Sequence, residues 1–160
     1  MISGRGARRA LLTIHLVFSL GWIGAALAYL ALAIAAGTSG DPGSVRGAWS
    51  AMELTGWVVI VPLALGALAT GLAVSLLSPW GLLRHYWVLI SLVLTALSAT
   101  VTVLHMPDVS SMAEMARAAD DDELLLLGGD AFHPAAGLVV LVVITVLNVY
   151  KPRGRTGLTW

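Results

Sequence analysis

Most of the chemistry in this chain rests on four histidines, His15, His85, His105 and His133. Each stands inside or at the end of a long apolar run, and none lies in the middle of a loop. An ionisable group in that setting is costly and usually marks a site. Neutral imidazole ligates haem iron, copper and zinc. Cysteine is absent, which removes disulfides and thiolate metal sites. No nucleophile–base pair, glycine-rich phosphate loop or basic nucleic-acid patch is visible, so hydrolases, nucleotide binders and nucleic-acid partners are disfavoured.

The elements that hold these side chains are membrane spans. The chain is 58% hydrophobic and 11% charged, more apolar than a soluble domain of 160 residues can hide. Apolar runs cover about 10–36, 52–78, 86–105 and 133–150, each close to the roughly 20 residues needed to cross hydrocarbon. The first run follows "RGARR" like a signal peptide, but it is about twice as long as a signal h-region and reads as a retained helix. Arg5, Arg8, Arg9, Arg84, Lys151, Arg153 and Arg155 share one side if both termini are cytoplasmic, and all nine Asp and Glu then fall at or beyond the other. This predicts a multi-pass protein of the bacterial inner membrane. Trp80, Tyr86, Trp87 and Tyr150 would form the inner aromatic belt, with Trp49 near the outer interface.

Loop one, "GTSGDPGSVRGAW", is rich in turn formers. The tight connection "SPWGLLRH" makes spans two and three an antiparallel pair. The outer loop, about 106–130, carries a helical pattern in "SSMAEMARAADDDELLLL". Ser110 or Ser111 is its candidate N-cap, and Met112, Met115 and Leu124 to Leu127 form its membrane-facing side. Asp130 or His133 can cap span four, and Pro134 suits its first turn. The expected fold is therefore all-α: a single integral domain, 1–160, built as a four-helix transmembrane bundle with an outer amphipathic segment.

Helical spacing then aligns the polar residues. Span one carries His15, Ser19, Trp22, Ala26 and Tyr29 on one face. Span three carries Arg84, Ser91, Thr95, Ser98, Thr102 and His105, and span four carries His133, Gly137, Val140, Ile144 and Asn148. Span two offers Ala64, Ala67 and Gly71 for close approach. The hydroxyls serve equally as helix–helix glue.

The histidines sort by depth into two pairs. His15 and His85 are near the inner surface, where two imidazoles from different helices can clamp a haem b, with Arg84 pairing its propionates. The alternatives are a hydrogen bond from His15 to a Ser or Thr, an interfacial role for His85, and a purely topological Arg84. His105 and His133 are near the outer surface with Met106, Met52, Glu53, Asp130, Met112 and Met115. Thioether with imidazole suits copper, and imidazole with carboxylate suits zinc; a second haem is also open there. Alternatively the methionines fill space and the acids are solvated. His85 and His105 lie about 30 Å apart along one helix and point to nearly opposite faces, so the spacing does not demand one channel with two stacked haems.

The segment "HLVFSLGWIGA" resembles a first-helix motif of copper-resistance D (CopD) type membrane proteins and of HemJ-type protoporphyrinogen oxidases. The whole chain is similar to a family of four-span actinobacterial membrane proteins, through "AMELTGWVVIVPLALGALATGL", "PWGLLRHYWVL", "LHMPDV" and "VYKPRG". The resemblance implies that His15 is a haem or metal ligand framed by Trp22 and Gly24. The functions expected are electron transfer or haem-linked redox chemistry, with a quinone or redox protein as partner; copper handling; or a cofactor-free subunit of a homo- or hetero-oligomeric membrane complex.

Overall fold

The computed structural model describes residues 4–78 and 81–157. The aromatic-belt expectation for Trp80 and the side chain of Arg5 lie outside the described residues. The chain folds as α1 (Gly4–Thr38), α2 (Pro42–Thr55), a π-helical turn (Gly56–Ile60), α3 (Val61–Leu77), α4 (Tyr86–Ala118), α5 (Asp121–Leu126) and α6 (Phe132–Tyr150). Among the described residues, four helices are long and apolar enough to cross a membrane, α2 and α3 counting as one. The protein is thus an all-α, multi-pass bundle.

Span two begins ten residues earlier than the apolar pattern indicates, at Pro42 rather than 52. The Asp–Pro pair in loop one is a helix start: Asp41 is the N-cap, its carboxylate accepts from the Ser44 backbone N–H at 2.8 Å, and Pro42 occupies the first turn. Further along, Pro62 disfavours an ordinary α-turn before it, because it lacks an N–H and crowds the carbonyl four residues back. The helix widens there, and Val61 N–H reaches Gly56 O, five residues back.

Span three is also longer than expected. α4 runs for 33 residues, about 50 Å, well beyond a hydrocarbon core of about 30 Å. The expected amphipathic segment is therefore two things: the last turns of α4 and the short α5. Ser110 is not an N-cap but sits within α4, where its hydroxyl accepts from Trp57 Nε1 at 3.0 Å. Asp120 is the N-cap of α5, accepting from Glu123 N–H at 2.9 Å. Met112 and Met115 are exposed, and the buried stripe is Val109, Ala113 and Ala116, packed with Val45, Ala48, Trp49, Met52 and Leu124 into a core beyond the bundle. Trp49 is thus a core residue, as is Trp87, while Tyr86 and Tyr150 are exposed as a belt requires.

Both arginines at this distal end are engaged. Arg46 donates to the carbonyls of Ala116 and Ala119 at 3.0 and 3.1 Å, closing the end of α4. Arg117 pairs with Glu53 at 2.8 Å, tying α4 to α2.

α1 packs on α2, α3 and α6, and α4 packs on the same three helices, so α1 and α4 occupy opposite corners of a square. Ala64 and Ala67 are buried at the helix contacts, as their size suits. In the half nearer the termini, Asn148 on α6 donates to Ser91 on α4 at 3.1 Å.

Candidate metal centre

The site forms where α4, α6 and the 127–131 connection meet. Two glycines let that connection settle against α1. Gly128 has φ +65, and a Cβ on Gly129 would strike the carbonyl oxygen of Ala33 and the backbone of Gly37. Trp49 Nε1 donates to Gly128 O at 3.2 Å and pins the connection from the α2 side. Asp130 follows directly, at the positive end of α6, where an anion is favoured.

His105 arrives from α4 and His133 from the first turn of α6. His105 Nε2 lies 2.8 Å from Asp130 Oδ2, and His133 Nδ1 lies 2.7 Å from the same oxygen. The His133 backbone N–H also donates to Oδ1, at 3.4 Å, but the N-cap of α6 is Ala131, not Asp130 or His133 as the sequence leads one to expect. The two imidazoles stack with centroids 4.0 Å apart and planes at 24°. An ionised carboxylate only accepts, so both facing nitrogens are donors in this arrangement. Burial pushes the Asp130 carboxyl up, but hydrogen bonds from His133 and His105 outweigh it and hold the group below its ordinary value.

One ligand atom each from His105, Asp130 and His133 lies within 4.8 Å of the others. Ligands of a tetrahedral ion with bonds of about 2.1 Å stand about 3.4 Å apart. A cation can thus replace the shared protons with small movements. The other nitrogen of His105, Nδ1, lies 3.8 Å from Asp108 Oδ2, beyond hydrogen-bond reach.

Beneath the cluster is a cavity of about 310 Å³ between α1, α4 and α6. Its walls include Trp22, Ala26 and Tyr29 from α1, Ser98, Thr102 and His105 from α4, and His133, Gly137 and Val140 from α6. The three helical stripes legible in the sequence converge here.

The remaining candidates go elsewhere. Met106 lines the cavity but its thioether is packed against Gly56, leaving no room there for a Cβ. The expectation that it joins His105 as a ligand is corrected by helix geometry, since adjacent residues point about 100° apart. Glu53, expected in the same set, is instead the partner of Arg117. Trp22 is buried in the cavity wall.

His15 sits against α3, its Nδ1 at 3.0 Å from Thr70 Oγ1 and its ring over Gly71. Thr70 Oγ1 also lies 2.6 Å from Gly66 O; with its proton directed there, His15 Nδ1 would be the donor, in the tautomer that leaves Nε2 unprotonated. His85 is the residue before α4 and forms an isolated antiparallel bridge with Arg155. Beside it Thr156 bonds the carbonyls of Leu83 and Arg84, and the Arg84 side chain is exposed. His15 and His85 thus belong to helices at opposite corners of the bundle.

The fold and the cluster define a multi-pass helical membrane protein with a His–Asp–His constellation at one end. No known family, curated relative or solved structure matches the chain. The signal for Asp130 was its position three residues before His133 at a helix start; Ser98 and Thr102 were legible only as stripe members.

Proposed function

We propose that the protein is a membrane metalloprotein that binds one divalent ion of the zinc class through His105 Nε2, His133 Nδ1 and the Asp130 carboxylate. The observation that carries this reading is the convergence of three ligand atoms within 4.8 Å above a cavity. Two imidazoles and a carboxylate suit borderline divalent ions, and three protein ligands leave a coordination position for an exogenous oxygen. Copper(II) accepts the same donors. The thioether set that would select copper(I) is not supported, because Met106 faces Gly56 and Met112 and Met115 are exposed. A haem between His105 and His133 is poorly supported as well: axial ligands meet the iron tip to tip, whereas these rings lie side by side at 4.0 Å. The charge asymmetry orients the distal end, and so the ion, toward the outside of the bacterial inner membrane.

A second reading, haem at the end nearer the termini, has one observation behind it. His15 bonds Thr70 through Nδ1, and in the Nδ1–H tautomer its Nε2 is a ligand nitrogen, with His85 as the candidate second ligand.

The test is chelation of the detergent-purified protein followed by titration with cobalt(II), read by visible absorption. One ion per chain is expected, lost in His105→Ala and Asp130→Ala. Absence of cobalt uptake by the wild type overturns the metal reading, and a Soret band that disappears in His15→Ala selects the second.

A further inference from the structure

The geometry points to the cavity below the ion as the binding site for a lipid-soluble molecule with a ring-sized oxygenated head, of the quinone or quinol class, entering sideways from the bilayer. This rests on the metal reading only for the contact at the top of the cavity.

The entrance is on the lipid-facing side. Leu97 and Val101 of α4 and Phe132 and Ala136 of α6 line the cavity and are also exposed on the outer surface of the bundle; Phe132 is 77% exposed. The same two helices are tied together at their other end by Asn148 and Ser91, so the opening is confined to the distal half. At Gly137 a Cβ would meet nothing within 4 Å, which places open space directly on the α4–α6 seam.

The size fits a ring. A cavity of about 310 Å³ stands at the lower end of the range of about 300–1,000 Å³ typical of small-molecule sites. Trp22, Tyr29 and Phe132 offer aromatic surfaces for stacking.

The polar groups select the head. Thr70, Ser75, Thr95 and Thr145 each donate to the carbonyl four residues before, the usual fate of a hydroxyl in an apolar helix. Among the described residues, no protein group bonds the hydroxyls of Ser98 and Thr102, which line the cavity instead. Thr102 lies one turn below His105, about 5 Å along the axis. A ring with oxygens on opposite sides can therefore place one at the open position of the ion and the other at Thr102 or Ser98. A bare acyl chain would leave both hydroxyls facing hydrocarbon.

The experiment is equilibrium dialysis of labelled menadione against the full-length protein in detergent, with and without zinc. Saturable binding near one per chain is expected, at least tenfold tighter than that of 2-methylnaphthalene, the same ring system without oxygens. Gly137→Leu fills the seam and should weaken menadione binding at least tenfold while leaving cobalt uptake unchanged; Gly137→Ala, adding one methyl, gives an intermediate loss. The double variant Ser98→Ala, Thr102→Val should weaken it at least threefold. Equal binding of the two probes, or menadione binding indifferent to Gly137→Leu, overturns the proposal. Failure of cobalt uptake with menadione binding intact overturns the metal reading and leaves the cavity site standing; normal cobalt uptake without menadione binding does the reverse.

Discussion

His105 and His133 approach from antiparallel helices and stack at 4.0 Å with one carboxylate, Asp130, bonded to both. Residues in one hydrogen-bonded network do not contribute independently. In chelated protein, a double-mutant cycle of His105→Ala and His133→Ala should show a coupling energy of about 0.5–3 kcal/mol. On cobalt content the single variants should each lose nearly all binding, so the double variant adds little. Additive stability losses with unchanged cobalt content would reduce the pair to packing.

The Asp130 carboxyl is held below its ordinary value by His133 and His105 against the effect of burial. A depressed carboxyl stabilises the fold above its unfolded value, about 3.9, and that stabilisation is lost as pH falls through the lower folded value. Chelated wild type should therefore exceed Asp130→Ala in stability by about 1.5–3 kcal/mol at neutral pH, as for a charged hydrogen bond. Thermal melts in detergent should show the gap level down to about pH 5 and closing below pH 4. A gap that fails to close below pH 4 would contradict the assignment of an ionised, accepting carboxylate.

The stripes His15 to Tyr29, Ser91 to His105 and His133 to Asn148 follow from helical spacing alone, and they do line the cavity or the adjoining helix contacts. Depth pairs His105 with His133, and these two rings do stack. Depth also pairs His15 with His85, but depth says nothing of bundle corners, and these two stand on helices that are diagonal. In "SSMAEMARAA" the methionines of the expected membrane-facing side are exposed, and the face that packs is the small one, Ala113 and Ala116, because α2 approaches closely. Asp41–Pro42 carries the same ambiguity, since cap and turn residues are the same types.

His15 and Thr70 join α1 to α3 through one hydrogen bond. His15→Ala and Thr70→Val should each lower stability, with a coupling of about 0.5–1.5 kcal/mol in a double-mutant cycle. Neither change should alter cobalt uptake at the other end of the bundle. Zero coupling would show that the pair is not formed in the membrane-embedded protein.

Topology should follow the basic residues. Arg8, Arg9, Arg84, Lys151, Arg153 and Arg155 lie at the end with the termini, and the two distal arginines are each held by acids or carbonyls. Reporter fusions at Gly40 and Asp121 should read outside, and one following Gly157 inside. An inside signal at Asp121 would place the His–Asp–His cluster on the cytoplasmic face.

The two glycines before Asp130 provide the sharpest contrast, because they are adjacent and do different things. Gly128 needs its positive φ but has open space where a Cβ would go. Gly128→Ala should therefore cost about 1–2 kcal/mol, the left-handed penalty, and leave the connection seated. Gly129 faces backbone: its Cβ would run into Ala33 O and Gly37 N, which belong to a helix and cannot turn aside. Gly129→Ala should cost about 1–3 kcal/mol, as overpacking does, and lift the connection off α1. Asp130 is the next residue, so its carboxylate would move away from His105 while staying near His133 three residues on. Cobalt affinity should thus fall at least tenfold in Gly129→Ala and remain within about threefold of wild type in Gly128→Ala, a difference of about 1 kcal/mol or less being expected where the ligands do not move. Wild-type cobalt affinity in Gly129→Ala would mean that the seat on α1 does not position the site.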